Sequence, residues 1–526
     1  MNVTASPTGA VADVVATNAF GLSATVLTIV HYILLRVLVL CIAAYSTWQY
    51  LLRSGALWNS KSEPPMLPYW LPGVGHSIAF LRDTHKTLVG ARNYFQTPAQ
   101  PFSVLIGGRR TYIILDPRHI AETYKKTREM LFDAYIDQVM GYVDVSQNAR
   151  NIMWSSMVSE TSLSVPNSVR SWVRADMIQG PSSREFYGDF LSELDRVLQH
   201  DSRFTTGNGH VHGMLKWTGD IIVMVSTNSF FGNACFEHSP ELLDAFHTFN
   251  HHAWKLLFRY PKILSKTAHD AKDICVHSLT KYFELPQDMR RDAAPFVLRS
   301  EDEMRKNGIS SRDIAAVLFK LYWAINGNPS ILAFWFLAHT LYNPQLKEDI
   351  KREVAPAFKN GTQHQPDIQC LLKECPKLNA AFYETMRIHG GASTFRRVVE
   401  DTTIAGFEFK PGSDVMMPYR QLHLNKEYWG EDAERFDIDK FLESPKLASA
   451  RTYRPFGGGA TYCPGRHLAQ QTALSYLATL VTRYEIQVVG GIESQAFPEM
   501  DDKVPTLGII SPVSGQDVQI RVEAVL

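Results

Sequence analysis

A glycine-rich loop that ends in a cysteine is the strongest chemical signal in the sequence. It runs Phe456-Gly-Gly-Gly-Ala-Thr-Tyr-Cys463-Pro-Gly465, and a helical pattern follows it from about residue 466 to residue 484. Glycines let a backbone pass against a flat ligand without side-chain collision. A cysteine at a helix N-terminus lies where the helix dipole favours a thiolate. Without partner ligands such a thiolate cannot close a zinc site, but it can be the axial ligand of haem iron. The alternative is a glycine turn with a buried, inert thiol.

Charged residues upstream form a second constellation. Glu384 and Arg387 are three positions apart in a helical segment, so they share one helix face and can pair. Taken alone, this would be a surface ion pair of little energetic value. Arg396 follows in a segment with strand character, and its planar guanidinium suits bidentate recognition of an anion. A solvated strand residue is the alternative for Arg396.

An apolar run over residues 313–342 predicts an unusually long helix with Pro329 inside it, where the missing N–H and the ring should kink the rod. Polar residues interrupt the run, which favours a buried core helix beside a functional pocket over a membrane span. These residues are Lys320, Asn326, Asn328 and His339.

The remaining patterns predict a mainly α-helical body with a small β region. Residues 102–115 are rich in Val, Ile and Tyr around Gly107-Gly108, which predicts a β-hairpin. Helical spacing dominates from about residue 117 to residue 343. Short strands are predicted again near residues 397–409 and 508–522.

The N-terminus predicts a membrane anchor. Residues 22–48 are almost all apolar, and roughly 20 such residues cross a bilayer. Arg36 lies near the middle of this stretch, where a charge is costly, so its side chain must pair with another group or extend to the membrane surface. Basic residues Arg53 and Lys61 follow the span, which predicts a single-pass protein of the endoplasmic reticulum with a cytosolic body. The predicted organisation is a luminal segment (1–21), an anchor (22–48), a proline-rich linker (49–75) and one catalytic domain (76–526).

Composition excludes other classes. The chain has 526 residues, 45% hydrophobic and 20% charged, a globular profile. Lys plus Arg (53) equals Asp plus Glu (53), so no net charge attracts nucleic acid, and none is expected as a partner.

The cysteine loop resembles the haem-binding loop of the cytochrome P450 (haem-thiolate) superfamily. Phe456, Gly459, Cys463 and Gly465 match that family's pattern, and Thr461 stands where the family usually has a basic residue. Together with Asn328 on the long helix, this looks like the membrane-anchored sterol 7α-hydroxylase and prostacyclin synthase branch. The resemblance implies the P450 fold behind one transmembrane helix, with Cys463 as the axial ligand of haem b.

The same resemblance assigns roles to the upstream charges. Glu384 and Arg387 match the family's Glu-x-x-Arg signature, which braces the core beside the haem and is structural. Arg396 matches a propionate-binding arginine. Lys440 lies in a segment where the family usually has an arginine.

Function is expected to follow from the resemblance. The family's carboxylic acid and alcohol on the long helix are replaced by Gly327 and Asn328, and Asn328 is expected to organise water or oxygen. We expect a monooxygenase that uses O2 and electrons from NADPH, through NADPH-cytochrome P450 reductase, to oxidise a hydrophobic sterol- or terpenoid-like substrate. A reductase-independent isomerase or dehydratase of a peroxide, and a haem-binding membrane protein without turnover, are the alternatives. The expected substrate pocket comprises Ala324, Ala392, Ser393, Thr394 and Leu507.

Overall fold

The structure is a computed structural model that describes residues 9–53, 62–96, 99–178, 181–200, 210–360, 365–506 and 508–525. The predicted pocket residue Leu507 lies outside these ranges. Within them, the α-helices are α1 (Gly9–Arg53), α2 (Ser77–Arg82), α3 (Thr84–Phe95), α4 (Pro117–Thr123), α5 (Asp133–Tyr142), α6 (Gln147–Ser155), α7 (Val165–Met177), α8 (Pro181–His200), α9 (Met214–Phe231), α10 (Ala234–His238), α11 (Leu242–Leu257), α12 (Lys266–Glu284), α13 (Pro295–Lys306), α14 (Ser311–Leu341), α15 (Pro344–Asn360), α16 (Ile368–Glu374), α17 (Pro376–His389), α18 (Arg420–His423), α19 (Lys426–Trp429), α20 (Asp439–Glu443) and α21 (Arg466–Arg483).

Strands occupy a smaller share of the described chain, as the sequence predicted. They are β1 (Phe102–Ile106), β2 (Arg109–Ile113), β3 (Met130–Leu131), β4 (Met157–Val158), β5 (Leu163–Ser164), β6 (Val211–Gly213), β7 (Ser393–Val398), β8 (Thr402–Ile404), β9 (Phe407–Phe409), β10 (Asp414–Pro418), β11 (Tyr484–Val488) and β12 (Gln519–Ala524). The fold is therefore mainly α with a small β region.

The largest sheet joins distant parts of the sequence. Its strand order is β1-β2-β10-β7-β3, and only the β2–β10 pair among these is parallel. The predicted hairpin is confirmed as β1 and β2, whose turn places Gly107 at φ 58° and Gly108 at φ 75°, the left-handed region that glycine tolerates. Strand β7 carries Arg396 and pairs with β10 on one side and β3 on the other, so the sheet fixes that residue's position.

Helix α14 runs through the main hydrophobic core and confirms the long predicted helix. It begins after Ser310, whose side chain accepts a hydrogen bond from Asp313 N, and it contains Pro329. Phe334, Trp335 and Phe336 are fully buried, and each buried side chain of this size stabilises the fold by roughly 1.5–3 kcal/mol. A helix packed this tightly is a rigid support for any group that it presents to a cavity.

The C-terminal region differs from its prediction. Strand character was expected over residues 508–522, but the structure has isolated bridges at Ile509 and Pro512 and a regular strand only from Gln519. The bridge at Ile509 pairs it with Gly390, immediately after α17. This segment is therefore held by isolated bridges to Gly390 and Met500 rather than by a β-ladder, and sequence periodicity carries no signal for such contacts.

Helix α1 extends beyond the predicted span of 22–48 at both ends. Within it, the segment Val26–Leu51 has a mean hydropathy of 2.4, and none of its residues is buried by the rest of the protein. This segment is long and apolar enough to cross a membrane. Arg36 donates a hydrogen bond to Tyr32 OH one turn away, which gives that cation a local partner. At the end of the helix, Gln49 Nε2 donates to Tyr69 O at 3.1 Å and ties the helix to the proline-rich linker.

Candidate haem-thiolate site

The cysteine loop, residues 456–465, leads directly into helix α21. Gly465 is the residue before the first helical turn, and Cys463 N donates to Phe456 O at 3.1 Å, which closes the loop on itself. Gly459 has φ 61°, and a Cβ there would lie 2.6 Å from the Tyr124 ring. Glycine at 459 is thus required both by the backbone conformation and by the close approach of an aromatic ring.

Burial favours the protonated form of the Cys463 thiol when no ligand is bound. It raises the pKa of Cys463, while the Gly465 N–H and the charge of Arg466 act in the opposite direction. The helix N-terminus therefore does not by itself produce the thiolate that the sequence suggested. A coordinating metal cation deprotonates a thiol outright, so a ligand that brings such a cation would supply the missing stabilisation.

Arg396 is a buried cation beside the loop. It is 6% exposed, its Nη1 donates to Phe395 O at 2.7 Å, and its Nη2 donates to the hydroxyl of Thr461. Among the residues that the structure describes, no carboxylate forms an ion pair with it, and burial lowers the pKa of Arg396. A buried guanidinium without an anion is energetically costly, so an anionic ligand group would fit here.

A second arginine, which sequence reasoning missed, approaches the same place. The Arg170 guanidinium lies 5.8 Å from the centroid of the Phe132 ring, and that of Arg396 lies 4.9 Å from the same centroid. Arg170 also pairs with Asp133 at 2.8 Å. Arg170 and Arg396 belong to α7 and β7, and only tertiary folding brings them together, so no local spacing could have revealed the pair.

The Glu384–Arg387 pair is fully buried and saturated. Its two parallel N–H···O bonds are both 2.7 Å long. Arg387 Nη1 also donates to His423 O at 2.7 Å and to Ala433 O at 2.5 Å, while Glu384 Oε1 accepts from Asp437 N at 2.9 Å. The pair thus joins α17 to the segment before the cysteine loop, which is an architectural arrangement.

Lys440, which is mostly buried, forms an ion pair within that same segment. Its Nζ lies 2.9 Å from Asp437 Oδ2, and this contact lowers the pKa of Asp437 although burial opposes it. Lys440 therefore forms an ion pair at a position where the family usually has an arginine.

Helix α14 presents Ala324 and Asn328 to a cavity of about 390 Å³, which we call the α14 cavity. Asn328 Oδ1 accepts a hydrogen bond from Ile509 N at 3.0 Å. A Cβ at Gly508 would lie 1.6 Å from the same oxygen, so only glycine lets the chain approach so closely. The amide oxygen of Asn328 is therefore committed to the C-terminal segment, and among the described residues no group accepts a hydrogen bond from its nitrogen, which leaves Nδ2 available to the cavity.

Packing also explains why the carboxylic acid before Asn328 is absent. A Cβ at Gly327 would lie 2.6 Å from Asn250 Oδ1, and Asn250 is itself held by Trp323 Nε1 at 2.8 Å. The close approach of α11 at this position leaves no room for a side chain at 327.

The other predicted pocket residues are dispersed. Ser393 lines a smaller neighbouring cavity that shares Thr506 and Ile510 with the α14 cavity. The Thr394 hydroxyl accepts from Tyr419 OH at 2.6 Å, near the cysteine loop. Ala392 packs against the core cluster that contains Tyr419. Of the predicted pocket, the structure thus brings Ala324 to the α14 cavity and places the other three on its periphery or beside the loop.

These features fit a haem. The cysteine loop offers one thiol ligand and a glycine surface for a flat ring, and Arg396 and Arg170 offer cations for acidic side groups. Among the described residues, no group of three or more His, Cys, Asp or Glu side chains could hold a metal ion. An iron at Cys463 would therefore take its remaining ligands from a prosthetic group, as haem iron does.

Comparison with known proteins agrees with this geometry. Residues 64–507 match the family model "Cytochrome P450". The "Cytochrome P450 monooxygenase poxD" of Penicillium oxalicum is 26% identical over 465 residues, covering 85% of this chain and 93% of the relative. The human "7-alpha-hydroxycholest-4-en-3-one 12-alpha-hydroxylase" is 22% identical, covering 93% of this chain and 97% of its own length.

Solved structures agree in fold. A "Retinoic acid bound cyanobacterial CYP120A1" superposes with a TM-score of 0.66 at 16% identity, covering 88% of this chain and 99% of that one. The family match covers most of the chain, including the cysteine loop, the Glu384–Arg387 pair and helix α14. The chain belongs to the cytochrome P450 family and is an enzyme of the monooxygenase type.

Proposed function

We propose that this protein is a membrane-anchored monooxygenase that hydroxylates, or further oxidises, a hydrophobic sterol- or terpenoid-like molecule. It would use O2 and NADPH-derived electrons delivered by NADPH-cytochrome P450 reductase. The observation that carries the proposal is the cysteine loop, which presents one thiol at the start of α21 beside a buried, unpaired arginine.

Individual residues would hold the haem. Cys463 would be the axial ligand, and Phe456, Gly459 and Gly465 would shape the surface against the ring. Arg396 would bind one propionate, and Arg170, which contacts the same Phe132 ring, would add positive charge nearby. Glu384 and Arg387 would not touch the haem but would hold the segment from which the loop departs.

Asn328 would serve the reaction from the opposite side. Bound haem would supply oxygen activation, for which the thiolate ligand is suited. Because Ile509 N–H occupies the amide oxygen, Asn328 Nδ2 would be the group that donates to a water or oxygen in the α14 cavity. Because residue 327 is a glycine and carries no carboxylic acid, the amide of Asn328 would direct protons instead.

The α14 cavity supports a hydrophobic substrate. Trp254, Ile331 and Val504 contribute apolar walls, as expected for a site that binds by desolvation. The relatives named above include a hydroxylase of a cholestenone, and "Abscisic acid 8'-hydroxylase 2" of Arabidopsis thaliana matches over 38% of this chain. Both names are consistent with terpenoid-derived substrates.

The membrane location would follow from α1. We propose that residues 22–48 form a single-pass anchor in the endoplasmic reticulum membrane, with residues 1–21 luminal and the linker at 49–75 leading to a cytosolic catalytic domain at 76–526. The apolar stretch Val26–Leu51 supports the anchor. Protease protection of microsomes tests it: the body should be digested from the cytosolic side without detergent.

Turnover with labelled oxygen tests the reaction. The proposed hydroxylation consumes a C–H bond, O2, two electrons and two protons, and yields a C–OH group and water. Sterols and terpenoids should acquire one ¹⁸O atom from ¹⁸O2, and only when NADPH and the reductase are both present. Position 327 lacks the carboxylic acid that the family usually has there, and this favours one rival reaction, the rearrangement of a peroxide. Consumption of a lipid peroxide at full rate without NADPH or reductase would support that rival and overturn the proposal.

A further inference from the structure

Lys320 is a cation on the same face of α14 as the residues assigned to the reaction. Lys320, Ala324 and Asn328 are each four positions apart, so their side chains project from one helix face. All three line the α14 cavity. A helix rises about 1.5 Å per residue, so Lys320 lies roughly 12 Å along the axis from Asn328. The cavity therefore has a charged end and a reactive end.

The ammonium group of Lys320 lacks a partner. Among the described residues, it makes no hydrogen bond and no ion pair, although it is half-buried. Asp137 is close enough to influence it, but Asp137 Oδ2 accepts from Arg150 at 2.8 Å and Oδ1 from Trp154 at 2.9 Å. Burial lowers the pKa of Lys320 to about 8, which still leaves it mainly protonated at neutral pH. A desolvated cation without an anion raises the free energy of the empty protein.

Basic residues of α11 line the same cavity. They are His251, His252 and Lys255, and Asp501 is the one carboxylate among the described lining residues. The cavity thus has more potential positive than negative groups in a chain whose overall formal charge is zero. A cleft in which one sign of charge predominates attracts ligands of the opposite sign.

We infer that Lys320 binds the carboxylate of a hydrophobic acid and places its carbon skeleton between α14 and the C-terminal segment, with the oxidised carbon near Asn328. The inference rests on the proposed function and narrows its substrate class from sterol- or terpenoid-like molecules to acids of that kind. A carboxylate suits this site because one negative charge matches one ammonium group, whereas a phosphate monoester would bring excess charge into an apolar cavity. Lysine acts here as a substrate-positioning cation whose backbone lies roughly 12 Å along the helix axis from that of Asn328.

Matched acids and esters test this inference on the haem-loaded protein. Abietic and oleanolic acids and their methyl esters are titrated, and dissociation constants are obtained from the ligand-induced change in the haem absorption spectrum. For at least one pair, we expect the acid to bind ten or more times tighter than its ester. Lys320→Met should bring that ratio close to one, and Lys320→Arg should preserve most of it. Lys306→Met removes an equal charge from the exposed side of α13, where Lys306 is 72% exposed, and should leave the ratio unchanged.

Other outcomes separate this inference from the proposed function. Equal affinity of every acid and its ester, or a ratio that survives Lys320→Met, overturns the role of Lys320. So does the absence of any spectral response from a protein that binds haem. If the titrations overturn the role of Lys320 but neutral sterols are oxidised in the turnover assay with NADPH and reductase, the proposed function stands while the inference fails. If no haem-thiolate spectrum forms, the proposed function fails first.

Discussion

On the cysteine side of the site, Glu384 and Arg387 are completely buried and bond to four backbone groups around them. On the opposite side, Ala324 and Asn328 face a cavity of about 390 Å³. The first side keeps the cysteine, the glycines and the Glu-x-x-Arg pair of the family pattern and departs from it at Thr461 and Lys440, whereas the second departs from it at Gly327 and Asn328. The difference indicates that one side is a saturated hydrogen-bond network that braces the segment before the cysteine loop, whereas the other side leaves side chains open to a cavity.

The largest expected effect of substitution lies on the cysteine side. Glu384→Gln leaves the buried Arg387 without its counter-charge, and breaking such a pair costs about 3–5 kcal/mol. We expect haem-loaded protein to be nearly absent after purification and the half-life at 37 °C to collapse. Asp288→Asn breaks an exposed pair with the same i, i+3 spacing to Arg291, which contributes about 0–1 kcal/mol and should change neither quantity. Normal haem content in Glu384→Gln would contradict the network's role.

An intermediate effect is expected at Arg396, which lies beside the loop but outside the network. Arg396→Leu removes the buried guanidinium, and a lost charge-assisted hydrogen bond costs about 1.5–3 kcal/mol. Haem should dissociate about ten to one hundred times faster to an acceptor such as apomyoglobin, while the carbon monoxide spectrum of the remaining holoprotein keeps its position. Arg397→Leu is the matched control, because the neighbouring side chain pairs with Asp414 at 2.6 Å. Equal haem loss from the two variants would show that Arg396 holds no propionate.

On the cavity side, substitution should change the reaction and leave haem binding intact. Asn328→Ala removes the amide that we expect to direct protons, and assistance of this kind contributes about 100-fold or more to a rate. Product formation per NADPH consumed should fall, and the carbon monoxide spectrum should not change. Asn326→Ala alters a buried amide that faces Thr227 instead of the cavity, so product yield per NADPH should be retained. If Asn328→Ala forms as much product per NADPH as the wild type, Asn328 has no role in the reaction.

The smallest effect should come from Thr461, which replaces the family's usual basic residue. Thr461→Arg adds a second cation beside Arg396, where the Thr461 hydroxyl now accepts a hydrogen bond. We expect haem loss to slow by a few-fold and turnover to remain the same. Faster haem loss would indicate that the hydroxyl is needed to orient Arg396.

Much of the cysteine side could be predicted from sequence because its signals are local. Three glycines, Cys463 and the helix that follows lie within one short stretch, and the hairpin at 102–115 is marked by Gly107-Gly108. The position of helix α14 was likewise readable from a continuous apolar run. In each case the pattern and the structure depend on neighbours in the chain.

The cavity side was harder to predict because it is assembled from distant segments. His251 and Lys255 on α11 meet Lys320 on α14 only after folding, and Asn328 is tied to Ile509 across the cavity. Arg170 approaches Arg396 in the same way. The collision that excludes a side chain at Gly327 depends on Asn250, which no spacing in the sequence relates to it.

Carbon monoxide binding to the reduced protein tests the central claim most directly. If the Cys463 sulfur ligates haem iron, the wild-type difference spectrum shows the long-wavelength Soret band of a thiolate complex. Cys463→Ala should lose that band, together with most of the bound haem. A variant that retains the same pigment and the same band at undiminished intensity would contradict ligation by Cys463 and the assignment of the whole site.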